Sequence, residues 1–94
     1  MKLAWTRVAL GDMGQAYEFI AEDQPAVAKK TTRQIEGAVA LLRRFPELGR
    51  PGRVKGTREL AVAGTPFIVP YRVKEDKIEI LAVLHGSRRW PELL

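Results

Sequence analysis

The chain has 94 residues with a formal net charge of +5, and 46% of its residues are hydrophobic while 29% are charged. This length suits one domain, predicted over residues 1–94, and the composition is that of a globular rather than a disordered chain. The absence of cysteine excludes disulfides and thiolate metal sites, and a solitary histidine, His85, argues against a zinc site, so we predict neither a metal nor a cofactor.

The N-terminal segment predicts a strand followed by a helix. It lacks the long apolar run of a signal peptide or a membrane span, so we expect a soluble, cytoplasmic protein. Residues 2–6 alternate weakly around Trp5, which predicts a short strand. Over residues 7–22 apolar side chains recur at helical spacing. Trp5 and Tyr17 are predicted core residues.

A second, longer helix is predicted from Pro25 to the Phe45-Pro46 pair. Proline suits a first helical turn, Asp23 is its predicted cap, and the residue before a proline avoids helical geometry. Because only a few residues separate the two helices, they should form an antiparallel hairpin. The apolar face of the second helix comprises Ala28, Thr31, Ile35, Ala38, Val39 and Leu42.

Residues 46–56 are rich in glycine and proline, which predicts a loop. We call this segment the basic loop. We attribute Gly49, Gly52 and Gly56 to turn formation, because a phosphate-binding loop would end in Lys-Ser/Thr and lead into a helix.

Period-two alternation follows the basic loop and predicts three strands near residues 59–63, 67–73 and 78–84. Pro70 predicts an edge position, a bulge or a backbone nitrogen pointing away from the ladder. The last strand is apolar on both faces and should be central. The order β, α, α, β, β, β predicts an α+β fold in which the helical hairpin packs on one face of a mostly antiparallel sheet.

The positive charge is concentrated in the second half of the chain. Residues 1–42 hold five basic and five acidic groups, whereas residues 43–94 hold eleven basic and six acidic groups. Such a field attracts a polyanion or an acidic protein, although a solvated basic surface is the alternative. Trp90 either docks on the domain or contacts a partner. The predicted target-binding residues are Arg50, Arg53, Lys55, Arg58, Arg72, Arg88, Arg89 and Trp90.

Four segments in this order and spacing resemble the RelE/ParE toxin family of bacterial type II toxin–antitoxin systems. They are residues 45–52 (FPELGRPG), 56–60 (GTREL), 67–73 (FIVPYRV) and 80–86 (ILAVLHG). The resemblance covers essentially the whole chain. It implies the RelE-like toxin fold and an antitoxin that folds over the toxin.

The family resemblance implies one of two activities. RelE-type toxins cleave messenger RNA on the ribosome, which requires a proton acceptor, a proton donor and cations for the phosphorane-like transition state. ParE-type toxins poison DNA gyrase and need no catalytic set of their own. The long helical hairpin, the Gly-Arg pair after it and the Leu-His pair closing the last strand favour the ParE-type activity. Binding of naked nucleic acid is a third possibility that lacks a matching motif.

Two positions weaken the nuclease interpretation. Ile68 occupies the place where RelE-type toxins commonly carry an arginine, and Arg72, four residues further, lies more than about 10 Å away along a strand. Leu94 lies near the position at which some family members carry a terminal tyrosine, and a leucine side chain cannot act as an acid or a base. Arg88 matches a second family arginine. His85 is either an acid–base group or a strand-end histidine bonded to backbone. If the chain is a nuclease, the predicted catalytic residues are His85, Arg88 and Arg89.

The predicted partner is an antitoxin with a disordered acidic or amphipathic segment that folds on binding. This segment should wrap the hairpin and a sheet edge and bury apolar anchors. We also expect that replacing Arg50, Arg53 and Arg58 with Ala weakens toxicity with little loss of stability, because exposed charges contribute little to folding.

Overall fold

The computed structural model describes residues 1–86, in which two helices pack against a mixed sheet. The strands lie in the order β1-β5-β4-β3-β2, and β6 also pairs with β4. All pairs are antiparallel except that of β1 with β5. The predicted α+β fold is therefore confirmed. The elements are β1 (Lys2–Trp5), α1 (Arg7–Ala21), α2 (Pro25–Leu41), β2 (Arg50–Pro51), β3 (Arg58–Ala61), β4 (Phe67–Lys74), β5 (Lys77–Ile80) and β6 (Leu84–His85).

Thr6 sets the start of α1 and its position on the sheet. Its Oγ1 accepts a hydrogen bond from the Ala9 backbone nitrogen at 3.2 Å and donates to the Ile80 carbonyl at 2.7 Å. A threonine cap of this kind contributes about 1 kcal/mol to helix stability. Because the same hydroxyl bonds the end of β5, the cap also anchors α1 over the sheet.

Both ends of α2 differ in detail from the prediction. The helix begins at Pro25 as expected, but its cap residue is Gln24, which makes no side-chain capping bond, so the assignment to Asp23 was wrong. The helix ends at Leu41 rather than at Phe45. Residues 42–44 instead form tight turns, in which the Arg43 nitrogen donates to the Ala40 carbonyl at 3.2 Å. Hydrogen bonds from the nitrogen of one residue to the carbonyl three residues earlier commonly satisfy the last carbonyls of a helix.

The core lies between α2 and the sheet. Trp5 packs against it while partly buried, as predicted. Tyr17 is half-buried but does not belong to the cluster, and Ala9 is the one fully buried residue of α1. The apolar stripe of α1 is therefore only partly covered. The largest core side chains come from α2, from Leu42 directly after it and from the sheet: Ile35, Val39, Leu42, Val69, Tyr71, Ile78 and Ile80.

The predicted strand over residues 78–84 is interrupted at residues 81–83. The Leu81 nitrogen donates to the Pro70 carbonyl at 2.9 Å, but proline has no N–H to return a bond. The Val83 nitrogen donates instead to Asp12 Oδ2 at 2.9 Å. The chain thus leaves the ladder and rejoins β4 as β6. Pro70 lies in a central strand beside this gap, so the edge-strand alternative was wrong and the interrupted ladder explains the proline.

Strand β5 lies between β1 and β4, which confirms its predicted central position. A tight polar turn precedes β5, with Lys74 paired to Lys77 and Glu75 at a φ of 58°. No helix within residues 1–86 is long and apolar enough to cross a membrane.

Candidate functional site

The hydroxyl of Tyr71 ties the basic loop to the core. Tyr71 is fully buried on β4, and its Oη donates to the Pro46 carbonyl and accepts from the Gly49 nitrogen, each at 2.8 Å. Burial raises the pKa of the Tyr71 phenol, because removal from water disfavours the phenolate. A buried tyrosine hydroxyl needs polar partners, and this requirement was the available signal in the sequence. Nothing local identified the partners, which lie 22 and 25 residues away.

Gly49 is needed for close packing rather than for a turn. A Cβ atom at this position would lie 2.6 Å from Tyr71 Cε1 and 2.9 Å from the Glu59 carbonyl oxygen. Gly52 similarly lies against Thr57. Of the three loop glycines, Gly56 alone has a positive φ, 84°, the backbone conformation for which turns favour glycine. The turn interpretation is therefore supported for Gly56, whereas close packing against Tyr71 and Thr57 is what requires glycine at the other two positions.

Arg58 is engaged within the chain. Its Nη1 donates to the Gly49 carbonyl at 2.7 Å and, more weakly, to the Glu47 carbonyl at 3.4 Å. These bonds run from β3 to the start of the basic loop and add to the bonds of Tyr71. Arg58 therefore has a structural role beside any contact with a target, and the expectation that replacing it would cost little stability is revised.

Glu59 holds the other side of the basic loop. Its carboxylate is 7% exposed, Oε1 pairs with Arg50 Nη2 at 3.2 Å, and Oε2 accepts from the Arg53 nitrogen at 3.1 Å. A buried carboxylate is stable only when such donors replace water. Glu59 was not among the predicted site residues, although an acid directly following a run of basic residues was a visible signal in the sequence.

The other predicted cationic residues differ in whether their side chains already have a bonding partner within the chain. Within residues 1–86, the side chains of Arg53 and Lys55 make no hydrogen bond or ion pair, so both are available to a partner. Arg72 is 45% exposed and pairs with Glu79 at 2.6 Å. The Arg72 hydrogen bond lowers the pKa of the Glu79 carboxyl. Because of its ion pair with Glu79, the Arg72 side chain is only partly available to a partner.

A small pocket of about 70 Å³ brings together side chains that are distant in the sequence. Arg50 and Arg53 approach from the basic loop, His85 from β6, and Ile68 from β4. We call this cavity the basic pocket. Glu59 also lines it and pairs with Arg50, so the two arginines leave an excess of one positive charge, which suits an anionic group. Ile68 contributes an apolar wall where the family resemblance implied an arginine in nucleases.

His85 lies at the end of β6, is exposed, and contacts Phe67 edge-on with ring centroids 5.9 Å apart. Its predicted companions Arg88 and Arg89, together with Trp90 and Leu94, lie outside the described residues. No group of three potential metal-ligating side chains occurs within residues 1–86. The described part of the site thus offers cations, one histidine and the Glu59 carboxylate.

The Arg58 side chain is hydrogen-bonded within the chain, whereas the Arg53 side chain makes no such bond among residues 1–86. Replacing the two arginines should therefore affect stability differently. We expect Arg58→Ala to lower the free energy of unfolding by about 1–2 kcal/mol, because the Gly49 carbonyl loses its charged donor. Arg53→Ala should change it by less than about 0.5 kcal/mol. Urea unfolding of both variants measures this difference. An equal loss in Arg53→Ala would show that the Arg53 guanidinium also supports the fold.

The model of the family described as "ParE toxin of type II toxin-antitoxin system, parDE" matches residues 3–90. The chain belongs to the ParE toxin family. It is 41% identical over 93 residues to Y4kP of Sinorhizobium fredii, a candidate toxin, with 99% of this chain and 96% of that protein covered. The described loop, pocket and helical hairpin are therefore features of a ParE-family toxin.

Solved structures agree with this assignment. The chain superposes on a protein of the chromosomal ParDE toxin–antitoxin system from P. aeruginosa with a TM-score of 0.84 and 34% identity, covering 90% of this chain and 95% of that one. The YoeB dimer from Staphylococcus aureus gives a TM-score of 0.59 at 15% identity, covering 87% and 92%. A copper-bound mutant toxin from Helicobacter pylori gives 0.61 at 17%, covering 93% and 96%. The last two show the fold alone.

Proposed function

We propose that this ParE-family toxin acts by inhibiting DNA gyrase and that a cognate antitoxin neutralises it. The observation that carries the proposal is Ile68 in the wall of the basic pocket. Cleavage of a phosphodiester develops negative charge that cations must stabilise in place, and an apolar side chain cannot do so. The pocket's arginines come instead from the basic loop, where they suit binding of an acidic surface.

Exposed cations on an ordered loop favour protein recognition. Arg53 and Lys55 are exposed, while Glu59, Tyr71 and Arg58 hold the backbone that carries them. Preorganisation lowers the entropic cost of binding, and unpaired surface charge speeds encounter with a partner of opposite charge. A toxin that works by occupying a target enzyme needs these properties and no catalytic group.

A RelE-like ribosome-dependent endonuclease is the alternative function. It is favoured by one observation, the convergence of Arg50, Arg53 and His85 on the basic pocket. There His85 would serve as the proton-transferring group and the arginines would contact the phosphate. Arg88 and Arg89 would complete the set.

Assays with purified toxin distinguish the two activities. We expect it to block supercoiling of relaxed plasmid by purified gyrase and to accumulate cleaved DNA, detected as linear plasmid after detergent and protease treatment. Programmed ribosomes should keep their messenger intact in primer-extension assays. The His85→Ala, Arg88→Ala double variant should still inhibit gyrase detectably. Codon-specific cleavage that this variant abolishes would overturn the gyrase proposal and establish the endonuclease.

A further inference from the structure

Three large apolar side chains are exposed where α2 ends. Leu41, Phe45 and Leu48 are 48%, 54% and 51% exposed. The Phe45 nitrogen donates to the Leu41 carbonyl at 2.9 Å, and the Leu48 nitrogen donates to the Phe45 carbonyl at 3.1 Å, so each residue follows the previous one by about one turn. Side chains three and four residues apart on such turns are neighbours on one surface. We call these three residues the Phe45 patch.

The backbone that carries the Phe45 patch is fixed to the core. Leu42 is fully buried, and the Tyr71 hydroxyl donates to the Pro46 carbonyl and accepts from the Gly49 nitrogen. The exposure of the patch is therefore a property of an ordered segment. Single exposed apolar residues are ordinary, but three adjacent ones are typical of a surface that a partner covers.

The Phe45 patch lies in a positively charged stretch of the chain. The Arg44 guanidinium lies 5.9 Å from the centroid of the Phe45 ring. Residues 43–55 hold four arginines and one lysine, and the acids Glu47 and Glu59 offset two of these charges, which leaves an excess of three. Arginine and aromatic side chains are enriched in protein–protein interfaces. The charge is complementary to an acidic partner.

The Phe45 patch lines neither cavity of the toxin. Leu84 and His85 of β6 line both the basic pocket and a groove of about 470 Å³ between α1 and β6, whereas no patch residue lines either one. A peptide segment that folds on binding lies in a groove supplied by the folded protein. An exposed apolar ridge needs the opposite arrangement, in which the partner supplies the recess, as the surface of a folded enzyme does.

We propose that the Phe45 patch is the apolar anchor for the target enzyme, in which it enters an acidic, apolar-lined recess on the surface of gyrase. This inference rests on the proposed function, the inhibition of gyrase. It adds three apolar residues to the predicted target-binding cations and places the contact at the end of α2. The cations of the basic loop would then lie against the acidic rim of the same recess.

Other occupants fit the Phe45 patch less well. A symmetric contact between two copies of the toxin would bring two surfaces of excess positive charge together, which is unfavourable. A nucleic acid gains its affinity from phosphate contacts, to which three apolar side chains add nothing. An acidic protein surface matches both the charge and the apolar area.

Supercoiling assays with purified gyrase and single-site toxin variants test the proposal. Phe45→Ser and Leu48→Ser should each raise the toxin concentration for half-inhibition by about tenfold, the effect of losing one buried anchor of an interface. Leu10→Ser is the matched control for Leu48→Ser, because Leu10 is a leucine of α1 that is 59% exposed, and it should stay within about twofold. The urea midpoint should be unchanged in all three variants, since the side chains removed are exposed.

Charge reversal tests the acidity of the recess. Arg44→Glu should raise the half-inhibiting concentration by more than about tenfold, because it places a negative charge beside an acidic surface. Arg33→Glu is the control, since Arg33 is an exposed arginine in α2, and its effect should stay within about threefold. Equal effects of the two changes would show that only the overall charge of the toxin matters and would overturn the assignment of the recess to Arg44 and the patch.

The remaining outcomes separate the proposal from the function on which it rests. If the wild-type toxin inhibits gyrase and Phe45→Ser and Leu48→Ser inhibit it equally well, the patch proposal is overturned while gyrase inhibition stands. It is also overturned if these changes weaken only binding to the antitoxin encoded beside the toxin, only affinity for a short DNA duplex, or only self-association in sedimentation. If the wild-type toxin leaves supercoiling unaffected, the proposed function fails and the patch proposal fails with it.

Discussion

Gly49→Ala is expected to destabilise the fold by about 2–3 kcal/mol, a large share of the stability of a domain this size. Gly49 is buried, and an added Cβ would press against the Tyr71 ring at 2.6 Å and the Glu59 carbonyl oxygen at 2.9 Å. The Glu59 oxygen belongs to backbone in β3, and the Tyr71 ring is enclosed by the core. Neither neighbour can move aside without disturbing the sheet.

Gly37→Ala provides the matched control. Gly37 lies inside α2 and is exposed, and a methyl group added there would meet no atom within 4 Å outside the adjacent helix backbone. The same chemical change should at this position stabilise the protein by about 0.5–1 kcal/mol, because alanine favours helical backbone. Chemical denaturation of both variants measures the contrast. A Gly49→Ala variant as stable as the wild type would show that the basic loop can shift away from Tyr71.

Tyr71→Phe should lower the free energy of unfolding by roughly 2–4 kcal/mol. The change keeps the ring but removes the hydroxyl that accepts from the Gly49 nitrogen and donates to the Pro46 carbonyl. Each buried backbone group left without its partner costs about 1–3 kcal/mol. The basic loop should also become more mobile, which hydrogen exchange at the Gly49 amide would report. Tyr17→Phe is the control, since Tyr17 makes no side-chain hydrogen bond within residues 1–86, and its effect should be below about 0.5 kcal/mol.

The same hydroxyl gives the protein a defined pH dependence. Burial raises the pKa of Tyr71 above the ordinary value of 10.0, so the folded state keeps a proton that the unfolded chain has released. This contribution to stability is fully present below about pH 10 and is lost as the pH rises toward the folded-state value. The free energy of unfolding should therefore fall more steeply in the wild type than in Tyr71→Phe above about pH 10. Parallel curves for the two proteins would contradict the burial argument.

Local sequence patterns predicted the elements that depend on local physics. Helical spacing located both helices, because an apolar stripe must face a core whatever lies opposite. Alternation located β3 and β4, and the glycine- and proline-rich segment located the basic loop. The family resemblance predicted the toxin fold and membership of the RelE/ParE family. The errors of detail, at Asp23 and at the end of α2, concern helix termini, where several residues compete for similar turns.

Interactions between distant segments decided the rest. The apolar run over residues 78–84 predicted one strand, but that strand is broken at 81–83 because Pro70 offers no N–H and Asp12, 71 residues from Val83, captures the Val83 amide. Alternation alone contains no information about either partner. The gap in turn creates β6 as a separate element between two cavities.

The candidate site shows the same division. Composition and charge located the cations of the basic loop, since clustered arginines produce a field whatever the fold. Which of them are available was decided by the tertiary structure alone: Glu59 and the carbonyl of Gly49 engage Arg50 and Arg58, while the Arg53 side chain lines the basic pocket. The reason is physical. A charge acts at long range through its sign, but a hydrogen bond requires a partner within about 3 Å, and only the folded chain places that partner.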